Sequence, residues 1–261
     1  MMLIDTHCHF DAPPFIDELA SSVQRFEQAG VSSIIVPAVA SQNFSIVLEL
    51  AKLYPSIYCA LGLHPIYTHQ KNDLELLAIQ LNAHHDKVVA IGEIGLDGYI
   101  DHIDIREQTF FLTAQLDLAK QYHFPVILHS RRANALLHKA LKKAKLPAVG
   151  VIHGFAGSYE EAMQFVRLGY YIGVGGVITY PRANKTRQAI SRIPLSSILL
   201  ETDAPDMPLN GLQGQANRPE NIIKVFEELT KLRVEAPSQI LNTILTNTLT
   251  LFSRINTMKV V

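Results

Sequence analysis

The chain has 261 residues, of which 48% are hydrophobic and 18% charged, and its 23 basic and 24 acidic residues nearly cancel. This composition supports a large buried core and excludes a disordered chain, and the net charge of −1 argues against a broad basic surface for nucleic acid. No apolar run is long enough to span a membrane and no basic leader precedes the first strand, so we expect a cytoplasmic protein with no membrane partner.

Short apolar runs of strand length alternate along the chain with segments of helical apolar spacing. The runs are apolar almost throughout, which is typical of parallel strands that are covered on both faces. The predicted strands are 3–10, 32–39, 57–63, 88–94, 125–129, 149–153, 170–174 and 197–201, and the predicted helices are 15–29, 44–54, 73–83, 105–122, 133–144, 158–168, 185–191 and 219–232, with a further helix over 237–252.

Eight strand–helix units in a chain of this length predict an α/β fold, the (β/α)8 TIM barrel, with an additional C-terminal helix. An open, doubly wound parallel sheet is the alternative architecture. There is no low-complexity stretch and no break in composition, so residues 1–261 are expected to form a single domain.

Most predicted strands end at their carboxyl edge in a residue that can bind a metal or carry a proton. Side chains two apart on a strand point the same way, so His7 and His9 can converge, whereas Cys8 between them is expected to pack in the core. In a barrel these edges form one ring at the mouth, where active sites of this fold lie. The residues concerned are His7, His9, His64, Glu93, His129, His153 and Asp203.

Each of these residues has a structural alternative when it is considered alone. A histidine at a strand end often serves only as a hydrogen-bonded structural residue, and Asp203 before Ala-Pro could simply begin a turn. The set as a whole favours a metal centre, because so many imidazoles and carboxylates at one end of the strands are hard to explain separately. A site without sulfur admits zinc, manganese, cobalt, nickel or magnesium.

Seven motifs occur in order, and together they resemble the TatD family of metal-dependent deoxyribonucleases, within the amidohydrolase superfamily. The resemblance runs over almost the whole chain, and a stretch over 203–211 is similar to bacterial hydrolases within that family. The motifs are Asp5-Thr6-His7-Cys8-His9, Gly62-Leu63-His64-Pro65, Gly92-Glu93-Ile94-Gly95-Leu96-Asp97, Leu128-His129-Ser130-Arg131, His153-Gly154-Phe155, Glu201-Thr202-Asp203-Ala204-Pro205 and Asn217-Arg218-Pro219.

The resemblance implies a binuclear centre with two divalent metal ions as cofactors. It assigns one ion to His7, His9 and Asp203 and the other to His129 and His153, with Glu93 bridging the two ions. Two positions depart from the family pattern: Arg132 stands where many members have Asp, and Gly154 stands where many have Cys. These departures leave the ligands intact and concern the lining of the pocket.

The hypothesis for the reaction assigns catalytic roles to Asp203, as base toward an attacking water, and to the bridging Glu93. Cations that could bind the substrate are His64, Arg131 and Arg218, each with a solvated surface charge or a salt bridge as its alternative role.

Three functions stay open on the sequence alone. The first is a phosphodiesterase acting on DNA ends as a 3′ to 5′ exodeoxyribonuclease, which the resemblance implies. The second is a hydrolase of a small amide, lactone or ester, which the near-neutral charge favours, and the third is a non-catalytic metal-binding protein.

Overall fold

The computed structural model describes residues 2–83 and 85–256, and these form a barrel of eight parallel strands in sequential order. Each strand pairs in parallel with the next one along the chain, from the first to the eighth. The strands are β1 (Leu3–Asp5), β2 (Val31–Pro37), β3 (Ile57–Leu61), β4 (Val88–Asp97), β5 (Val126–Arg131), β6 (Gly150–Ile152), β7 (Tyr171–Val174) and β8 (Ile198–Leu200).

Backbone hydrogen bonds between the ends of β8 and β1 close the barrel. Thr6 N donates to Leu200 O at 3.1 Å, and Asp203 N donates to His7 O at 2.9 Å. A parallel bridge between Cys8 and Ala204 continues the same pairing. The predicted barrel is therefore confirmed, and the alternative of an open doubly wound sheet is wrong.

The helices follow the strands as predicted, with local differences at their starts. Residues 16–18 and 219–221 form 3-10 turns in place of the first turns of the predicted first and eighth helices. The helices are α1 (Leu19–Gln28), α2 (Phe44–Leu53), α3 (Lys71–Asn82), α4 (Ile105–Tyr122), α5 (Asn134–Ala144), α6 (Tyr159–Val166), α7 (Asn184–Arg192), α8 (Ile222–Leu232) and α9 (Pro237–Leu251).

Alternation along the strands divides the apolar side chains into two layers. One set packs between the strands and the surrounding helices, and Cys8 belongs to it, as predicted. The other set fills the inside of the barrel and includes Ile35, Ile127 and Leu199. Leu251 and Phe252, at the end of α9, pack against this inner set, so the additional C-terminal helix covers the end of the barrel opposite the mouth.

None of the helices in the described ranges has the length and apolarity that crossing a bilayer requires.

Helix α6 begins with a capping box, and we expect Glu161→Ala to destabilise the protein by about 1 kcal/mol at neutral pH. The Glu161 carboxylate accepts a hydrogen bond from Ser158 N at 2.7 Å and pairs with Lys185 at 2.9 Å. The bond from Ser158 N is the largest cause that lowers the pKa of Glu161, to about 2 from its ordinary value of 4.5.

Because the folded-state pKa of Glu161 lies below its unfolded value, the carboxylate stabilises the fold above about pH 4.5 and less as the pH falls toward 2. Urea unfolding at pH 7 and pH 3 measures the effect, with Glu160→Ala, at an exposed position in the same first turn, as the matched control. The expectation fails if the two variants have the same free energy of unfolding at pH 7, or if the deficit of Glu161→Ala is unchanged at pH 3.

Candidate metal centre

Glu93 on β4 lies at the centre of the histidines that end the strands, and only 2% of it is exposed. Its Oε2 faces the two histidines that follow β1, at 3.2 Å from His7 Nε2 and 3.6 Å from His9 Nε2. Its Oε1 lies 3.1 Å from His129 Nδ1 and 3.3 Å from His153 Nε2. One carboxylate thus presents a separate oxygen to each of two imidazole pairs.

Asp203 completes the group on the β1 side. Its Oδ1 lies 3.5 Å from His7 Nε2 and 3.7 Å from His9 Nε2, and the two Nε2 atoms are 3.3 Å apart. Four ligands at zinc–nitrogen and zinc–oxygen bond lengths on a tetrahedron are separated by about 3.4 Å. The separations of these donor atoms therefore fit a divalent cation among them. Among the described residues, three groups could hold an ion: His7, His9 and Glu93; His7, His153 and Asp203; and His64, Glu93 and His129.

A buried carboxylate lies behind each of the imidazoles of His129 and His153. Asp97 Oδ2 lies 3.0 Å from His129 Nε2, so His129 turns Nδ1 toward Glu93. Glu201 Oε1 lies 3.3 Å from His153 Nδ1, so His153 turns Nε2 toward Glu93. Carboxylate partners of this kind fix the orientation and tautomer of a metal-binding histidine.

A glycine on the neighbouring strand makes room for Glu201, which is fully buried. A Cβ built at Gly173 on β7 would lie 2.5 Å from Glu201 Oε2. Glu201 Oε1 also accepts a hydrogen bond from Gly154 N. Sequence reasoning assigned no role to Asp97 or Glu201, although both lie within the quoted motifs.

Asp5, which is also fully buried, links the segment that carries His7 to the segment that carries Asp203 at the barrel closure. Its Oδ1 accepts hydrogen bonds from His7 N at 3.2 Å and Thr202 N at 2.9 Å, and its Oδ2 accepts one from Thr202 Oγ1 at 2.5 Å. Burial raises the pKa of Asp5 to about 8. This network ties the end of β1, which His7 and His9 follow, to the segment that carries Asp203.

Burial and mutual proximity set the protonation of the centre. Burial, followed by the nearby imidazole of His153, places the pKa of His7 well below its ordinary value. Burial acts to raise the pKa of Glu93, but the imidazoles around it outweigh burial and place that pKa well below the usual range. Burial raises the pKa of Asp203 to about 6. Neutral His7 and ionised Glu93 are the forms that bind a cation.

His64, predicted to bind substrate, also contacts Glu93. Its Nε2 lies 3.0 Å from Glu93 Oε1, while its Nδ1 accepts a hydrogen bond from Ile66 N at 3.2 Å. An accepting Nδ1 leaves the proton of a neutral imidazole on Nε2. His64 therefore donates a hydrogen bond into the centre, a geometry that suits a substrate contact better than metal ligation.

The two predicted arginines lie in different places. Arg131 lines the cavity of about 490 Å³ above the centre, and its guanidinium lies over the Tyr99 ring, 3.8 Å from the centroid. Arg218 pairs with Glu220 at 3.3 Å and lies 5.2 Å from the Phe15 ring, and it is not among the residues that line the cavity. The structure thus brings together Arg131 and the predicted ligands, but not Arg218.

Comparisons with known proteins agree with this arrangement. The sequence matches the family model described as TatD related DNase over residues 4–253. A metal-dependent hydrolase of Escherichia coli (strain K12), YjjV, is 54% identical over 252 residues, covering 96% of this chain and 97% of that protein. The crystal structure of YjjV matches with a TM-score of 0.95 and 55% identity, over 96% of this chain and 98% of that one.

A more distant relative carries a deoxyribonuclease name. Human deoxyribonuclease TATDN3 is 29% identical over 269 residues, covering 97% of this chain and 95% of that protein. With the histidine and carboxylate groups at the barrel mouth, these relatives define the chain as a metal-dependent hydrolase. The chain belongs to the TatD family, and the resemblance predicted from its ordered motifs is confirmed.

Proposed function

We propose that this chain is a binuclear metal-dependent phosphodiesterase that removes nucleotides from DNA ends in the 3′ to 5′ direction. The observation that supports this proposal most is that the two carboxylate oxygens of Glu93 face different imidazole pairs. The deoxyribonuclease name of TATDN3 supports DNA as the substrate.

The proposed ligand set follows the two sides of Glu93. His7, His9 and Asp203 would hold one cation, and His129 and His153 the other, with Glu93 shared between them. Zinc, manganese, cobalt, nickel and magnesium are all compatible with imidazole and carboxylate donors. Bound divalent ions polarise a phosphoryl oxygen and lower the pKa of water, which is the chemistry that phosphodiester hydrolysis requires.

Asp203 is the proposed general base. Its Oδ1 faces His7 and His9, which leaves Oδ2 to accept the proton of the attacking water. Burial raises the pKa of Asp203 to about 6, and a positioned carboxylate can take the proton of a water within hydrogen-bond reach. Its side chain is 17% exposed, so water from the cavity can reach it.

His64 and Arg131 are the proposed contacts to the phosphate. His64 presents its Nε2 proton to the centre, and Arg131 places a permanent positive charge on the cavity wall. Both can offset the negative charge that grows on the phosphoryl oxygens during attack. Arg218, which is paired and packed away from the cavity, remains only a prediction for this role.

An assay with three substrate classes tests the proposal. Metal-loaded protein is incubated with end-labelled single-stranded DNA, with bis(p-nitrophenyl) phosphate and with a panel of amides, lactones and esters, each with and without a chelator. We expect chelator-sensitive shortening of DNA from the 3′ end. Turnover of carbonyl substrates without any phosphodiester cleavage would establish the alternative hydrolase, and no turnover by metal-loaded protein would indicate a metal-binding protein without activity.

The carboxylates behind the two imidazoles give a further prediction. Glu201→Gln and Asp97→Asn are each expected to lower metal affinity or phosphodiester turnover about 10- to 100-fold, because each loosens one imidazole. Metal titration and steady-state kinetics measure the effect, with Glu160→Gln as a control at an exposed surface position. Wild-type metal affinity and turnover in both variants would show that these carboxylates do not position the histidines.

A further inference from the structure

A second cavity opens on the same face of the barrel as the candidate metal centre. Its volume is about 390 Å³, and its walls come from the loop after β7 and the loop after β8. The residues that line this cavity include Val177, Tyr180, Arg182, Met207 and Pro208. The comparisons above assign no role to this cavity.

The two cavities share one segment of chain. Pro205 and Asp206 line the cavity above the metal centre, and Met207 and Pro208, the next residues, line the second cavity. Asp203, a proposed ligand, precedes Met207 by four residues, which limits their separation to roughly 14 Å. A chain molecule bound at the metal centre can therefore reach the second cavity with its next units.

The two loops approach each other closely, and hydrogen bonds to their backbone help to fix the shape of the second cavity. A Cβ at Gly176 would lie 2.9 Å from Met207 O, so this approach of the loops requires a glycine. The Tyr180 hydroxyl donates to Pro208 O at 2.5 Å, and Asn217 Nδ2 donates to Met207 O at 3.2 Å. Met207 itself has a φ of 52°, which is unusual for a residue other than glycine.

The chemistry of the lining differs from that of the metal centre. The walls are mostly apolar, with an aromatic ring and a thioether, and Met207 is 40% exposed. Among the described residues that line this cavity, Arg182 alone is charged, and its guanidinium lies 5.1 Å from the centroid of the Tyr180 ring. Flat aromatic faces, polarizable sulfur and guanidinium planes are the groups on which nucleobases stack.

We propose that the second cavity is a nucleobase subsite, which holds a base of the DNA strand whose terminal phosphodiester lies at the metal centre. The subsite rests on the proposed function and deepens it, because it gives the enzyme a reason to prefer a polynucleotide over a small phosphodiester. Tyr180 and Met207 contact the faces of the base, and Arg182, whose guanidinium lies 5.1 Å from the centroid of the Tyr180 ring, adds a cationic plane to the same stack.

Binding measurements test the subsite separately from cleavage. The probe is a fluorescein-labelled single strand of about eight nucleotides with phosphorothioate linkages, which slow hydrolysis, titrated with manganese-loaded protein and followed by anisotropy. Tyr180→Ala and Met207→Ala are each expected to raise Kd about tenfold. Tyr180→Phe keeps the ring but loses the hydroxyl's hydrogen bond to Pro208 O, so it is expected to bind the strand more tightly than Tyr180→Ala does.

A series of strands that each lack one base locates the contact. At one position, removal of the base should weaken binding to the wild type about tenfold and weaken binding to Tyr180→Ala no further, since both changes remove the same interaction. Ile79→Ala, at a 61% exposed position on α3, is the matched apolar control and should bind like the wild type.

The subsite would be overturned if Tyr180→Ala and Met207→Ala both bound the strand with wild-type affinity. It would also be overturned if, at every abasic position, the loss from base removal added to the loss from Tyr180→Ala. A wild-type protein that cleaves no DNA would overturn the proposed function, whereas the binding series would still decide whether the cavity holds a base.

Comparison of KM values completes the test. Tyr180→Ala should raise the KM for the DNA by a factor about five times larger than the factor by which it raises the KM for bis(p-nitrophenyl) phosphate.

Discussion

Asp203→Asn is expected to lower kcat for phosphodiester cleavage about 10²- to 10⁴-fold. The substitution removes the proposed base and one anionic ligand oxygen, yet it keeps the size of the side chain. Asp203 has a φ of 58°, a left-handed conformation that asparagine tolerates better than other side chains, so the barrel should still fold. Steady-state kinetics, with circular dichroism as a check of folding, measure the effect.

Asp117→Asn is the control for the loss of one negative charge, because Asp117 is exposed on the outer helix α4. It should retain turnover close to that of the wild type. A folded Asp203→Asn variant with undiminished kcat would remove Asp203 from the mechanism and leave only its proximity to the histidines.

Glu93→Gln should reduce the number of divalent ions bound per chain and lower turnover about 10³-fold. The amide offers one neutral oxygen in place of two charged ones, so a bridge between two cations is no longer possible. The several kcal/mol that paired cations supply to the transition state correspond to a loss of this size. Elemental analysis after dialysis against manganese gives the stoichiometry, and cleavage of bis(p-nitrophenyl) phosphate gives the rate.

Glu93→Asp serves as the companion variant, because it keeps the charge and shortens the reach to the two imidazole pairs. We expect it to regain part of the metal content and little of the turnover. If Glu93→Gln binds as many ions as the wild type, the bridging role is wrong.

The proximity of the proposed ligands could be predicted from the sequence because the barrel brings distant strand ends together. Parallel strands in one closed sheet all end at the same face, so residues as distant as His7 and Asp203 meet at the mouth. Near-continuous apolar strands indicated this topology. The prediction needed only the position of each polar residue at a strand end.

The carboxylates behind the histidines could not be assigned in this way. His129 turns Nε2 toward Asp97, whereas His153 turns Nδ1 toward Glu201, and the choice of nitrogen depends on side-chain rotation. Strand β4 also extends to Asp97, beyond its predicted end at residue 94, because it continues to pair with Arg131 of β5. These features depend on tertiary contacts that apolar periodicity does not encode.

Arg218 illustrates the same limit for surface cations. Its sequence motif placed it after β8, but its neighbours Glu220 and Phe15 decide where the guanidinium lies. The single-domain organisation and the polarity of cleavage stay predictions, since no contact in the barrel bears on either one.

Because α9 packs against the inner core, the contacts that stabilise one end of the barrel are separate from the loops that determine substrate specificity at the other end. Leu251 and Phe252 close one end of the barrel with apolar contacts, while the opposite end carries the loops around the candidate metal centre. Changes of substrate preference are therefore expected to come from substitutions in those loops, whereas truncation of Leu251 or Phe252 is expected to lower the melting temperature.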